Sequence, residues 1–260
     1  MKRQLLIIYS LGILLTGCAG LGTYNPATER NEFIFISTPE EIAMGRQIHN
    51  SLAKEYEFSK NQNDIQRVQR VGEKLTLISD RQDYQYSFYV IDKDELNAFT
   101  VPGGSIYIYT GLLEKLENDD ELAAVLAHEI GHCAARHTVK KYQAALGYDL
   151  IGNVVLNQVG WGGYAKQVAN ISSDVLMKIV FSSYGRKDEF EADRLGIKYS
   201  YLAGYDPEGM IEVFKILKKG SAGSADVPLF LRSHPYNDDR ITQARKYIPE
   251  IKSKYSQVSP

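Results

Sequence analysis

The sequence predicts an α+β fold, mainly helical, with a small sheet beside one helix that carries a metal-binding pair. Three observations predict it. Most of the chain repeats apolar residues at helical spacing, and residues 84–109 instead hold short runs rich in alternating aromatic and β-branched residues. The third is the stretch from Glu121 to His137, ELAAVLAHEIGHCAARH, which carries His128, Glu129 and His132 in HExxH spacing. With 260 residues, 44% of them hydrophobic, the chain can bury one sizeable core or two small ones. Its net charge of -2, with no basic run flanked by aromatics, excludes nucleic acid as a partner class.

The N-terminus departs from that composition. Lys2 and Arg3 precede an apolar run from Leu5 to Leu15 that is too short to span a bilayer, so residues 1–17 read as a secretory signal peptide. Leu15-Thr16-Gly17-Cys18 resembles the bacterial lipobox, which implies cleavage before Cys18, acylation of its thiol and amine, and attachment to a membrane through the lipid. Ala19 stands where an aspartate would favour the inner membrane, which points to the periplasmic face of the outer membrane. Cys18 and Cys133 are the only cysteines, so lipidation of the first leaves no disulfide within a monomer, and Cys133 reads as a small buried hydrophobe. Residues 18–36, with Gly20, Gly22 and Pro26 and no period, read as a tether.

A single domain is expected over residues 37–250, with a tail at 251–260. Ser37-Thr38-Pro39-Glu40-Glu41 is a helix start, and the helix runs to about Tyr56. Ile65, Val68, Val71, Leu75 and Leu77 mark a second. Tyr84 to Ile91 alternates as a strand, and Ala98–Val101 and Ser105–Tyr109 are two more, joined through Pro102-Gly103-Gly104. Beyond the HExxH helix the chain is mainly helical. Gly160, Gly162 and Gly163 around Trp161 interrupt it, as a lid or as a simple interhelix loop. Residues 171–202 read as one long helix or two abutting ones, Asp206-Pro207-Glu208 starts another reaching Lys219, and Asp238–Tyr247 is a last short helix.

Four residues turn a helix through about 400°, so His128 and His132 leave the same face one turn apart and can share one ion. Asn118 or Asp119 caps this helix, and Leu122, Val125 and Leu126 form its apolar stripe. Glu129 projects beside the ion, where a carboxylate can take a proton from water. One zinc per chain is the expected cofactor, and catalytic zinc needs a third protein ligand. His137, five residues after His132, falls about 180° from His128 on a continuous helix and cannot reach the ion, and its spacing rules out the HExxHxxGxxH pattern. Better placed is GRKDEFEADRLG, residues 185–196, where Glu189 and Asp193 share one helical face. Glu189 can ligate while Asp193 accepts a hydrogen bond from a ligand histidine, and Glu191, about 200° round from Glu189, faces elsewhere.

LAHEIGHCAARH, the later E-x-E-A-D from Glu189 to Asp193, and Asn97-Ala98-Phe99 leading to Pro102-Gly103-Gly104 together resemble the zinc metallopeptidases related to the CAAX prenyl endopeptidase and the HtpX protease. The lipobox is similar to that of the small periplasmic lipoprotein members. The resemblance covers about residues 39–247 and implies a zincin-like metalloprotease domain. By it His128, His132 and Glu189 are the zinc ligands, Glu129 is the general base, Asp193 orients a ligand histidine, and Asn97, Ala98 and Phe99 bind substrate. It also matches Ser233-His234-Pro235, followed by Arg240, which implies that His234 lies near the metal, either stabilising an oxyanion or filling the open position at rest. The activity implied is endoproteolysis of unfolded or misassembled envelope polypeptides. A different class stays open: a zinc-containing lipoprotein scaffold or chaperone for outer-membrane assembly.

Overall fold

A computed structural model of the chain describes residues 22–157, 172–221, 229–235 and 238–257. The signal peptide, Cys18 and the glycine-rich segment around Trp161 lie outside the described residues. The first element corrects the tether reading. Strands β1 (Thr23–Asn25) and β2 (Arg30–Glu32) form an antiparallel hairpin, with Tyr24 opposite Asn31. It is fastened to the body because the Asn25 amide donates both to Glu32 (3.0 Å) and to the Ala134 carbonyl (3.1 Å), and Lys140 donates to Glu32. Ile36, the last residue assigned to the tether, is buried.

Helices α1 (Thr38–Glu55) and α2 (Gln62–Thr76) follow. Ser37 opens α1 with a capping box, its backbone N–H donating to Glu40 at 2.7 Å. Strands β3 (Ser87–Ile91), β4 (Ala98–Val101) and β5 (Ser105–Tyr109) form one sheet in the order β3-β5-β4, with β5 parallel to β3 and antiparallel to β4. The alternation that begins at Tyr84 becomes a strand only at Ser87, because its ladder partner β5 begins opposite it, at Ser105. Both faces of the sheet are covered. Ile106 and Ile108 of β5 join the core of α2 and the HExxH helix, and Tyr107 and Tyr109 join a second core with Met44, Ile48 and Leu52 of α1.

The remainder is helical: α3 (Thr110–Leu113), the HExxH helix α4 (Asp119–Ala134), α5 (His137–Asn157), α6 (Ser173–Val180), α7 (Arg186–Leu202), α8 (Gly209–Ser221), α9 (Leu229–Ser233) and α10 (Asp238–Lys254). Residues 171–202 are therefore two helices, and α7 starts anew where the Gly185 N–H donates to the Asp188 carboxylate. The last helix continues past Tyr247 and over Pro249, so residues 251–254 are not tail. Burial of Ile248 and Ile251 holds that turn together although the proline removes one helical hydrogen bond. Among the described residues no helix is long and apolar enough to cross a membrane.

The pair that positions the site is α4 against α7. They approach backbone to backbone through two glycines: a Cβ on Gly131 would lie 2.9 Å from the Ala192 carbonyl oxygen, and one on Gly196 would lie 3.0 Å from the His128 nitrogen. Any side chain at Gly196 therefore displaces the backbone of His128 itself. Gly196→Val is expected to lower stability by about 1–3 kcal/mol in urea unfolding. Gly147→Ala, where the added methyl meets nothing within 4 Å, is the control and should leave stability unchanged or slightly raised.

Candidate metal centre

Helix α4 starts where the sequence places it, with the Asn118 side chain accepting from the Glu121 N–H at 2.9 Å and acids filling the first turn. Every residue from Glu121 to Ala134 is buried, so His128, Glu129 and His132 sit in the core rather than on a surface. The i, i+4 spacing brings His128 Nε2 within 3.0 Å of His132 Nε2. From α7, Glu189 reaches His132 Nε2 at 3.4 Å and His128 Nε2 at 3.7 Å. His234, following α9, is turned inward by its N–H bond to the Phe230 carbonyl (2.7 Å), and its Nδ1 lies 3.0 Å from Glu189 and 3.3 Å from His128 Nε2. His128, His132, Glu189 and His234 thus offer four buried donor atoms within 4.8 Å of one another.

That spacing fits a cation. A tetrahedral ion with ligands at 2.0–2.1 Å separates its donor atoms by about 3.3 Å. Charge argues the same way. Glu189 and Asp193 are buried carboxylates held ionised beside one buried guanidinium, Arg240, and Glu129 is a third buried carboxyl group next to them, a surplus of acidic groups that suits a cation. Neither oxygen of Glu129 has a hydrogen-bond partner among the described residues, and His234 Nε2 is 3.5 Å from one of them.

Arg240 is the residue the sequence left without a role. Its guanidinium forks onto Asp193, with Nε at 2.8 Å and a terminal nitrogen at 2.6 Å, while its other terminal nitrogen lies 2.6 Å from Glu189. Asp193 in turn lies 2.9 Å from His128 Nδ1. These contacts set the protonation states. Burial opposes ionisation of Glu189, yet Arg240 and the two histidines beside it hold its pKa well below the usual range. Burial likewise opposes the Asp193 anion, and Arg240 with the His128 hydrogen bond holds its pKa down. Burial pushes His132 well below the ordinary imidazole value, which keeps it neutral. His128 shifts the other way: burial opposes its charged form, but the Asp193 hydrogen bond and the Glu189 and Asp193 charges outweigh that burial and raise its pKa, so an ion bound there displaces a proton from it. Burial raises the pKa of Glu129, an adjustment that suits a carboxylate used to accept and return a proton.

His137 stands beside His132, and the continuous-helix geometry that put it on the far side does not hold. Helix α4 ends at Ala134, and Arg136 takes the left-handed conformation, φ 58°, pinned by the Ile36 carbonyl and by Glu41. His137 therefore opens a new helix. Its Nδ1 lies 2.9 Å from His132 Nδ1, and its Nε2 lies 3.1 Å from Glu191, which is ion-paired to Arg30 of the hairpin. One proton arrangement satisfies this chain: His137 donates Nε2–H to Glu191 and accepts the Nδ1–H of His132. The lone pair of His132 Nε2 then faces the cluster. Glu191 does point away from Glu189, as its helical angle requires, and its partner is this second histidine.

Tyr184 is a further neighbour that sequence reasoning missed, its ring 4.0 Å from that of His132 and its hydroxyl 2.8 Å from Thr138. Cys133 is buried and takes no part in the cluster. Its sulfur lies 2.8 Å from the Thr100 hydroxyl, and burial pushes the thiol up to about 12. The trio assigned to substrate lies inward: Asn97, Ala98 and Phe99 are buried, and Phe99 stacks on Tyr107 at 4.9 Å. Ala98 belongs to one core and Phe99 to the other, and Asn97 is a buried polar side chain beside them. β4 is an edge strand of its sheet, and all four of its residues are buried. The Tyr109 N–H donates to the Asn97 carbonyl, which turns the polar groups of Asn97, Phe99 and Val101 toward β5 and those of Ala98 and Thr100 away from it, where both residues are buried.

An HExxH helix crossed by a second helix that supplies a buried glutamate defines a metallopeptidase site. Residues 62–248, more than half of the chain and inclusive of every group in the cluster, match Peptidase family M48, and the chain belongs to that family of metallopeptidases. It is 27% identical to the mitochondrial metalloendopeptidase OMA1 of Saccharomyces cerevisiae over 95% of this chain and 76% of that protein. It is 28% identical to the beta-barrel assembly-enhancing protease of Yersinia pestis over 84% of this chain and 46% of that protein, and 26% identical to its Escherichia coli K12 namesake over 75% and 41%. The chain thus spans less than half the length of these bacterial relatives.

Two outcomes follow from the geometry. Arg240→Leu strands two buried carboxylates and is expected to destabilise the metal-free protein by about 3–5 kcal/mol in urea unfolding. His137→Leu should weaken zinc binding by about 10–100-fold, read by competition with a fluorescent chelator, while the unfolding midpoint of the metal-free protein changes little.

Proposed function

We propose that the chain is a zinc metalloendopeptidase of the bacterial envelope, anchored by lipid on Cys18 to the periplasmic face of the outer membrane, where it cleaves unfolded or misassembled polypeptides. The observation that carries the hydrolytic part is the four-donor cluster with the unpartnered carboxylate of Glu129 beside it. His128, His132 and Glu189 would hold the ion. Zinc, when bound, supplies Lewis acidity toward a carbonyl and acidifies water. Glu129 takes the proton of the attacking water and returns it to the leaving amine. Asp193 and Arg240 keep His128 and Glu189 in place meanwhile.

The names of the bacterial relatives, beta-barrel assembly-enhancing proteases, support an envelope setting, and the lipobox and Ala19 support the anchor and the membrane. The likeness to the CAAX and HtpX enzymes is carried by the HExxH segment, the E-x-E-A-D from Glu189 to Asp193, and Asn97-Ala98-Phe99 leading to Pro102-Gly103-Gly104. One observation favours a second reading, a scaffold that uses the ion to hold a closed site: His234 Nδ1 already stands at donor distance from both Glu189 and His128.

Glu129→Gln should retain zinc, measured by elemental analysis, and lose about 10²–10⁴-fold in turnover of unfolded casein. Wild-type turnover with the metal retained would remove Glu129 from the reaction. Turnover that survives His234→Ala and vanishes in His132→Ala supports the peptidase, whereas unchanged client assembly in both variants supports the scaffold.

A further inference from the structure

The chain leaving the hairpin carries apolar residues on both of its faces. From Asn31 to Ile36 exposure alternates: Asn31, Phe33 and Phe35 point out, and Glu32, Ile34 and Ile36 point in. Such a period of two ordinarily places apolar residues inside and polar ones outside. Here the inward row ends in buried Ile36, yet the outward row holds Phe33 at 64% exposure and Phe35 at 37%, with ring centroids 6.2 Å apart. Tyr24, 59% exposed, lies opposite Asn31 in the register and so on the same outward face. Three of the five large apolar side chains exposed among the described residues therefore fall in this one short stretch, which makes it a patch rather than scatter. The rings are also held out by design of the backbone. The Gln143 amide donates to the Phe33 carbonyl (2.8 Å) and accepts from the Phe35 N–H (3.0 Å), standing in for a neighbouring strand.

We infer that this aromatic face seats on the surface of a phospholipid bilayer. The inference rests on the lipid anchor proposed above. Cys18 precedes Thr23, where the hairpin begins, by five residues, and five residues reach at most about 18 Å. A lipid on Cys18 therefore keeps the hairpin against the membrane, and this face is the exposed apolar surface closest to the anchor along the chain. Tyr24 suits the headgroup level, where its ring is buried and its hydroxyl stays wet, and Phe33 and Phe35 offer purely apolar rings to the acyl boundary beneath. The seat also sets the orientation of the site. Asn25 of the hairpin bonds the carbonyl of Ala134, the C-terminal end of α4, so the bilayer lies toward the end of that helix that carries His132. Polypeptide at the membrane surface is then the substrate within reach.

The test uses lipidated protein on vesicles of phosphatidylethanolamine and phosphatidylglycerol, with tryptophan placed by Phe33→Trp in a Trp161→Phe background. Lys115→Trp, exposed beyond the other end of α4, is the control. The emission of Phe33→Trp should shift to the blue on the vesicles and be quenched by bromine-labelled lipid severalfold more than that of Lys115→Trp. Protein that floats with the vesicles while both positions are quenched equally overturns the seat and leaves the anchor standing. Protein that does not float overturns the anchor and the seat with it. A blue shift that follows protein concentration without lipid assigns the face to a second copy and overturns the bilayer.

Discussion

A buried carboxylate stays ionised only beside a compensating charge, and the centre of this protein holds two such anions, Asp193 and Glu189. Arg240 makes the arrangement possible. One planar guanidinium, itself 1% exposed, spans Asp193 and Glu189 together, and it rests 4.7 Å over the ring of Phe214, which shields it from water. With those anions fixed, His128 is aligned by Asp193 and the donor atoms of Glu189 are aimed at the histidine pair. Glu129 lies outside that reach and has no hydrogen-bond partner among the described residues, and burial raises its pKa. A lysine would offer a point charge without the fork and would hold one carboxylate at a time.

The second constraint is distance. Two helices must come close enough for a short Asp193 and a Glu189 to touch side chains on α4, and this requires bare backbone at the crossing. Gly131 and Gly196 supply it, one from each helix. On its other flank α4 lies against a sheet whose central strand is buried on both faces. The alternation Ser105-Ile106-Tyr107-Ile108-Tyr109 gives isoleucines to the metal helix and tyrosines to α1, so the sheet is a plate between two cores.

Much of this was legible in the chain. The HExxH helix, its cap at Asn118, and the i, i+4 pair Glu189 and Asp193 all follow from local periodicity, which sequence carries directly. What stayed hidden depended on a backbone conformation or on contacts distant in sequence. Arg240 sits in an ordinary charged helix start, and nothing near it shows that it is buried. His137 was misplaced because no glycine marks the left-handed turn at Arg136, which is held instead by Glu41 and the Ile36 carbonyl from the far end of the domain. The hairpin has strands of three residues, too short for a pattern, and the alternation after it is masked because both of its faces are apolar. The helical turn across Pro249 persists because burial of Ile251 outweighs a local rule.

The hairpin and the metal centre are mechanically one unit. Arg30 fixes Glu191, Glu191 fixes the tautomer of His137, and His137 fixes that of His132, so a single line of polar contacts runs from the N-terminal segment to a donor atom of the cluster. Each member loses its orientation if the one before it is withdrawn, since a neutral imidazole whose outer nitrogen has no partner is free to exchange tautomers. The Asn25 bond to Ala134 closes the same circuit through the backbone, at the point where α4 ends and the chain reverses.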